Sequence, residues 1–172
     1  MPTYTVFLSS TFADFARERG KLTEVLPYID IHVSVAERTG DIGKSLSDTL
    51  AKKIDECEMV VLLLGSRAGT KSETGEPWAQ KEVDYAFSKN KRVFAYQRVT
   101  PQESLSLVDR DQTGETALTD LLEFVQKKVA IVPRFELGEC CKLTAMVIRD
   151  VDRYARELKE WQQQKSYDES FG

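Results

Sequence analysis

The 172-residue chain has only one histidine and three cysteines, which excludes several kinds of catalytic and metal site. His32 lies in an alternating strand pattern with no serine or cysteine partner in view, so the sequence argues against a histidine-based catalytic triad. Cys57, Cys140 and Cys141 lack the spacing of zinc ligands, and we expect no metal site. Free cysteines are often buried, and we expect all three thiols to be buried and reduced.

The chain also lacks long apolar runs and an excess of positive charge. Its longest apolar run, Met59 to Leu64, is far shorter than the ~20 residues of a membrane helix. The first residues do not have the pattern of a secretion signal, so we expect a cytoplasmic protein that does not enter a membrane. The formal net charge of −4 argues against nucleic acid as a partner and leaves a small-molecule ligand open.

Strand-like and helix-like segments alternate along the whole chain, which is typical of a mainly parallel sheet covered by helices on both faces. The length suits one compact α/β domain, which we place at residues 1–162, followed by a flexible tail at 163–172. The polar stretch 100–114 is predicted to be a long loop, either a mobile binding loop or a family-specific decoration. The predicted strands are 4–8, 31–35, 59–64, 92–97 and 129–132, and the predicted helices are about 12–26, 45–56, 77–88, 117–125 and 137–161.

The stretch from Met59 to Ala86 is the most informative part of the sequence. A buried strand runs into a glycine-containing loop, and Pro77 then suits the first turn of a helix. Trp78 and Glu82 are four residues apart and fall on one face of that helix. Because ligands of open α/β sheets bind beyond the carboxyl ends of the strands, Glu82 is a candidate for stabilising an oxocarbenium-like sugar. A solvated or core-capping glutamate explains the spacing equally well.

Two other predicted strands end in polar residues at the same edge of the sheet. Ser9, Ser10 and Thr11 offer hydroxyls and the free N–H groups of a helix start, which suit an anion, although serine and threonine are also the usual N-cap residues. Glu37 and Asp41 follow the second strand as candidate partners of the helix carboxylate. They are equally well explained as loop carboxylates in water.

The loop from Gly65 to Gly69 is the third candidate element of the site. Its glycines allow close approach of the backbone to a ligand, and the planar guanidinium of Arg67 suits a phosphate or a carboxylate. Ordinary turn chemistry also explains the glycines. The loop lacks the Gly-Lys-Ser/Thr ending of a P-loop, so ATP hydrolysis has no support here.

Residues 6–15 and the following Glu18-Arg19 carry a family resemblance. They resemble the signature S-S-T-F-x-D-x-x-x-E-R of a TIR-like family of bacterial domains of unknown function. The sequence from Trp78 to Glu82 is similar to the W-C-x-x-E element of TIR domains, with alanine in place of cysteine. Together with the G-S-R-A-G loop, the resemblance covers roughly residues 4–98.

The resemblance implies a three-layer flavodoxin-like fold, with five parallel strands in the order 2-1-3-4-5. The helical spacing of apolar residues in 137–161 separately predicts an extended helix at the end of the chain. The resemblance further implies a nucleotide site in which Glu82 cleaves an N-glycosidic bond. In TIR enzymes the substrate is NAD, no further cofactor is needed, and the setting is often antiphage defence or cell-death signalling. On this basis the candidate ligand-binding residues are Ser9, Ser10, Thr11, Glu37, Gly65, Arg67, Gly69 and Trp78.

Two alternatives remain open at the level of the sequence. Many TIR relatives only self-associate or recruit partners, so the chain is also consistent with a non-catalytic module that forms homo-oligomers or serves a fused or partner effector domain. A nucleoside 2-deoxyribosyltransferase would instead exchange bases between nucleosides. An enzyme needs a reachable Glu82, whereas an interaction module predicts an occluded or paired one.

Overall fold

The computed structural model describes residues 4–10, 15–35, 48–65, 74–99 and 112–171, and for residues 112–117 and 171 it describes the backbone alone. A single sheet of five parallel strands has the order β2-β1-β3-β4-β5, which confirms the order that the resemblance implies. The strands are β1 (Tyr4–Ser10), β2 (Ile31–Val35), β3 (Met59–Leu64), β4 (Arg92–Val99) and β5 (Arg134–Glu136). The helices are α1 (Ala16–Val25), α2 (Asp48–Asp55), α3 (Trp78–Ser88), α4 (Gln112–Lys128) and α5 (Cys140–Phe171), with a 3₁₀ turn at Leu26–Ile29.

The central strand β3 is buried along its whole length and divides the core into two layers. Successive side chains of a strand point to opposite faces, so alternate residues of β3 belong to different clusters. Met59, Val61 and Leu63 pack with α1 and α5 on one face. Their neighbours Val60, Leu62 and Leu64 pack with α2, α3 and α4 on the other. The three-layer α/β fold follows from this double coverage.

The fifth strand lies elsewhere than predicted. Residues 129–132 do not form it, and β5 is instead Arg134–Glu136, pairing with Gln97 to Val99 of β4. Proline has no N–H to donate to the hydrogen bonds of a sheet, and β5 begins just after Pro133. The carbonyl of Pro133 does accept a hydrogen bond from the Gln97 N–H at 2.9 Å. Phe135 is the core residue of β5, whereas Ile131 of the apolar run is 75% exposed.

The helices differ from prediction mainly at their ends. Helix α4 begins at Gln112, so the last part of the predicted loop 100–114 is helical, and the rest lies outside the described residues. Helix α5 continues to Phe171, so residues 163–171 are helical where we predicted a flexible tail, and their described side chains are exposed. Asn90 has a φ of 55° just after α3, which confirms it as the end of that helix. Within the described ranges, no helix has both the length and the apolar character of a membrane span.

The cysteines are free thiols, but they are not all buried as predicted. Cys57 and Cys140 are buried, whereas Cys141 is exposed at the start of α5. Burial, and to a lesser extent the neighbouring Glu58 carboxylate, raises the pKa of the Cys57 thiol to about 12. Cys57 therefore stays protonated at neutral pH and belongs to the core rather than to a reactive site.

Glu18 of the signature segment connects α1 with the sheet. Its Oε1 lies 3.8 Å from Nη1 of Arg98 on β4, and the two side chains are only 6% and 10% exposed. The Arg98 guanidinium also lies 4.4 Å from the ring centroid of Phe15, the residue that precedes α1. The glutamate of the signature therefore has a structural role in this chain, which the sequence did not reveal.

We expect Glu18→Gln to lower the free energy of unfolding by about 3 kcal/mol, because Arg98 loses a buried counter-charge while remaining buried itself. Urea denaturation of both proteins measures the difference. Glu24→Gln is the matched control, since it removes an ion pair with Lys21 whose side chains are 43% and 63% exposed. The control should change the free energy by less than about 1 kcal/mol. Equal losses in the two variants would contradict a structural role for the buried pair.

Candidate functional site

Ser9 and Glu82 form a buried polar pair at the carboxyl end of β1. The Ser9 hydroxyl donates a hydrogen bond to Oε2 of Glu82 at 2.5 Å. Ser9 is 1% exposed and Glu82 is 3% exposed. The bond joins two candidate site residues that are far apart in the sequence, one on the sheet and the other in α3.

The periodicities of a strand and a helix explain why these two residues meet. In β1, Phe7 packs into the cluster formed with α2, α3 and α4, and Ser9, two residues further, points to the same face. In α3, Ala79, Val83 and Ala86 also pack into that cluster, and Glu82 falls within the same stripe of the helix. A carboxylate placed in such an apolar stripe needs a donor, and Ser9 is the donor on the strand beneath it.

The same alternation separates Ser9 from Ser10. Because Ser10 follows Ser9 within the strand, its side chain points to the α1 and α5 face. The Ser10 hydroxyl oxygen is buried and has no hydrogen-bond partner among the described residues. The structure thus brings Ser9 to Glu82 and directs Ser10 away from it, although the sequence grouped the two hydroxyls in one site.

The other predicted site residues divide into two groups. Gly65 is buried directly after β3, and Trp78 is half-buried at the first position of α3, so both lie at the carboxyl edge of the sheet near Ser9. Lys81 lies with its Nζ 5.6 Å from the centroid of the Trp78 ring. The remaining candidates lie outside the described residues and stay predictions; they are Thr11, Glu37, Asp41, Arg67 and Gly69.

A second buried carboxylate, Asp150 of α5, was not predicted from the sequence. Its Oδ2 accepts a hydrogen bond from the Tyr96 hydroxyl at 2.8 Å, and its Oδ1 lies 2.9 Å from Nε of Arg149 and 3.4 Å from Nη2 of Arg153. Burial tends to raise the pKa of Asp150, but the hydrogen bonds from Arg149 and Tyr96 and the two positive charges hold that pKa below its usual value. Burial and the bond to Asp150 raise the pKa of Tyr96.

The sequence does contain a signal for such acids. Asp150 stands in the helical stripe of Leu143, Val147 and Val151, just as Glu82 stands among the buried residues of α3. An acid at a buried position of an amphipathic helix indicates a paired carboxylate. Chemically, such a carboxylate can accept hydrogen bonds from a ligand or stabilise a positive charge. In the described part of the chain, no group of three or more His, Cys, Asp or Glu side chains is placed to hold a metal ion.

Comparisons with known proteins identify a family whose model matches the chain and solved structures that resemble it. The family described as "Domain of unknown function (DUF4062)" matches residues 5–149. Among solved structures, the TIR domains of the activated Roq1 resistosome, which directly recognizes the pathogen effector XopQ, have a TM-score of 0.52 at 19% identity, covering 86% of this chain and 99% of that one. This likeness shows the fold alone. No protein with a curated description matches the sequence.

The solved structures also include a more distant neighbour, a 2-desoxiribosyltransferase from Leishmania mexicana. It has a TM-score of 0.39 at 15% identity and covers 55% of this chain and 64% of its own. A TM-score this low carries no argument about the fold or the reaction of the present chain. The TIR-like α/β fold therefore rests on the strand order and on the first of the two structures.

A double-mutant cycle of Ser9→Ala and Glu82→Gln tests whether the two residues are energetically coupled. We expect a coupling of about 1.5 to 3 kcal/mol in the free energy of unfolding, because the bond joins a hydroxyl to a buried carboxylate. Ser88→Ala, which removes an exposed hydroxyl bonded to the Tyr85 carbonyl, is the matched control. Its coupling to Glu82→Gln should be within about 0.5 kcal/mol of zero. A coupling energy of zero between Ser9→Ala and Glu82→Gln as well would show that the two residues do not act together.

Proposed function

Since the chain belongs to the DUF4062 family and has a TIR-like fold, we propose that it binds NAD or a related nucleotide and hydrolyses the N-glycosidic bond with Glu82 as the catalytic carboxylate. The observation that supports this proposal is the position of Glu82, which accepts a hydrogen bond from Ser9 at the carboxyl end of β1. Ligands of parallel α/β sheets bind at this edge. Hydrolysis requires that the Glu82 carboxylate, 3% exposed in the free protein, becomes reachable when the substrate binds. The resemblance of residues 4–98 to TIR-like domains suggests bacterial defence or stress signalling as the setting.

The proposed reaction needs only a carboxylate and water. The bond between the ribose carbon and the nicotinamide nitrogen breaks, and its electron pair leaves with nicotinamide, which becomes neutral. The ribose carbon gains oxocarbenium character, and the negative charge of Glu82 stabilises it. Water then forms the new bond to that carbon and releases a proton. The products are ADP-ribose, nicotinamide and the proton, so no cofactor or metal is required.

The surroundings of Glu82 suit this role. A carboxylate that is 3% exposed lies in a medium of low dielectric constant, where its attraction for a developing positive charge is stronger than in water. The hydrogen bond from Ser9 fixes the orientation of the carboxylate before the substrate binds. Trp78, half-buried at the start of the same helix, lies where it can contact the nicotinamide or the ribose.

The first test measures NAD consumption by the purified chain at high protein concentration, with released nicotinamide followed by chromatography. High concentration is used because TIR-like sites can require assembly. We expect Glu82→Gln to lower the rate by at least about 100-fold, since one electrostatic group in a catalytic site is typically worth that much. Glu76→Gln, at an exposed position just before α3, should leave the rate unchanged. Equal rates in wild type and Glu82→Gln would place the chemistry elsewhere.

Ser9 should act as a positioning residue. We expect Ser9→Ala to lower kcat about tenfold with little change in KM, because the hydroxyl orients Glu82 rather than binding the substrate. Ser9→Thr keeps a hydroxyl and should restore most of the rate. A large rise in KM at constant kcat would instead indicate that Ser9 contacts the nucleotide, the role assigned to it from the sequence.

A non-catalytic interaction module is the second candidate function, and two observations favour it. Glu82 is buried and hydrogen-bonded, as that alternative requires. The second half of α5 also presents Trp161 and Tyr167 to solvent, each 62% exposed, which suits contacts with another copy or with a fused or partner effector domain. Self-association by analytical ultracentrifugation, together with an inert wild type at high concentration, would support this function over hydrolysis.

A further inference from the structure

A cavity of about 830 Å³ lies beside the first half of β4, between the end of α4 and the middle of α5. Within the described chain, β5 pairs with β4 only from Gln97 to Val99, so residues 92–96 have no strand on that side. The volume lies in the range of roughly 300 to 1,000 Å³ that is typical of small-molecule sites. Neither Ser9 nor Glu82 lines this cavity, which is therefore distinct from the site proposed above.

The charge of the lining is opposite to that of the whole protein. The chain has a formal net charge of −4, yet the residues around the cavity include one carboxylate, Asp150, and cations from the start of β4, the end of α4 and α5. Convergence of positive charge from three separate elements on one cavity favours an anionic occupant. The cationic side chains are those of Arg92, Lys128, Arg149 and Arg153, whereas the ammonium of Lys91, which also lines the cavity, donates to the carbonyls of Asp55 and Cys57.

Asp150 holds two of these cations in place. Arg149 donates from Nε at 2.9 Å and from Nη2 at 3.2 Å, and Arg153 donates from Nη2 at 3.4 Å. The carboxylate is itself fixed by the Tyr96 hydroxyl. A guanidinium has five N–H donors, so both arginines keep donors beyond these bonds, and their side chains are 63% and 60% exposed. They are thus oriented in advance and still accessible to a ligand.

We propose that this cavity binds a small molecule that carries a diphosphate or triphosphate group. Planar guanidiniums bind phosphate oxygens through paired hydrogen bonds, and Arg149 and Arg153 supply two of them at one point. Arg92 lies at the rim, 5.6 Å from the ring centroid of Phe94 and 5.9 Å from that of Tyr154. A ligand of several negative charges matches this set of cations better than a single carboxylate does.

An acidic peptide added to the edge of β4 is less compatible with the geometry. Strand addition requires access to backbone N–H and C=O groups. The Gln97 N–H points toward the β5 side, so the backbone groups of Ala95 and Val93, two and four residues earlier, face the cavity. Ala95 is 1% exposed and Val93 is 5% exposed, which places those groups out of reach of an incoming strand.

Titration of the full chain with inorganic pyrophosphate, by calorimetry at low ionic strength, tests the proposal. We expect Arg149→Gln/Arg153→Gln to weaken binding by at least about tenfold, since two charge-assisted contacts are lost. Arg156→Gln/Lys159→Gln is the matched control, because it makes the same charge change on exposed residues of α5 outside the cavity. It should weaken binding by less than about twofold. Equal weakening by both double variants would overturn the proposal.

Lys128→Gln provides a second variant that does not disturb the Asp150 cluster. Its Nζ lies 5.8 Å from the Phe87 ring centroid at the cavity, and we expect about threefold weaker pyrophosphate binding. This result is interpretable even if loss of both arginines impairs folding, which thermal unfolding will show. Failure of the wild type to bind pyrophosphate below about 10 mM overturns the proposal. If the wild type binds a hexaglutamate peptide and does not bind pyrophosphate, the cavity is instead a site for acidic polypeptides.

Discussion

The arrangement of this protein depends on a simple constraint, namely that a carboxylate buried between a helix and a sheet must find a hydrogen-bond donor or a counter-charge there. Among the described residues, three helices each bury one acid, and a strand residue contacts each of them: Glu18 of α1 forms an ion pair with Arg98, Glu82 of α3 accepts a hydrogen bond from Ser9, and Asp150 of α5 accepts one from Tyr96. An unpaired buried carboxylate costs several kcal/mol, so each pair restricts how its helix can sit on the sheet.

The three pairs differ in the role, catalytic or structural, for which their chemistry is suited. Arginine charges compensate Glu18 and Asp150, so those acids are well placed to hold parts of the structure together. Glu82 accepts a hydrogen bond from the neutral hydroxyl of Ser9 at the carboxyl end of β1. Parallel sheets bind their ligands at this edge. Position at the ligand-binding edge, rather than burial alone, therefore distinguishes the candidate catalytic acid from the structural ones.

The outline of the fold could be predicted from the sequence because its main determinant is local. The run from Met59 to Leu64 is apolar at every position, as a strand covered on both faces must be, and the strand order came with the family resemblance. The fifth strand was misplaced because its position depends on a distant partner: the Pro133 carbonyl and the buried Phe135 match the end of β4, which no local pattern reveals.

The site was predictable only in part, for a related reason. Glu82 was identified from its spacing to Trp78, but its burial and its bond to Ser9 depend on how α3 packs on β1. The first strand was expected to end at Leu8, and its continuation through Ser9 and Ser10 is what sends the two hydroxyls to opposite faces. Glu18 and Asp150 were missed because an acid in an amphipathic helix usually marks the solvated face.

The strand register shows how the candidate site and the cationic cavity are related. Ser9 pairs with Leu62, and Leu62 pairs with Ala95, so the two places lie at the same level of the sheet, with β3 between them. Adjacent strands are about 4.8 Å apart, which separates the β1 and β4 backbones by roughly 10 Å. Because β3 is buried on both faces and interiors of proteins are close-packed, a ligand bound on one side of β3 can affect the other side only by displacing the core of the sheet. The fold thus places the candidate site and the cationic cavity on either side of its central buried strand, and the Ser9–Glu82 pair shares no residue with the cavity lining.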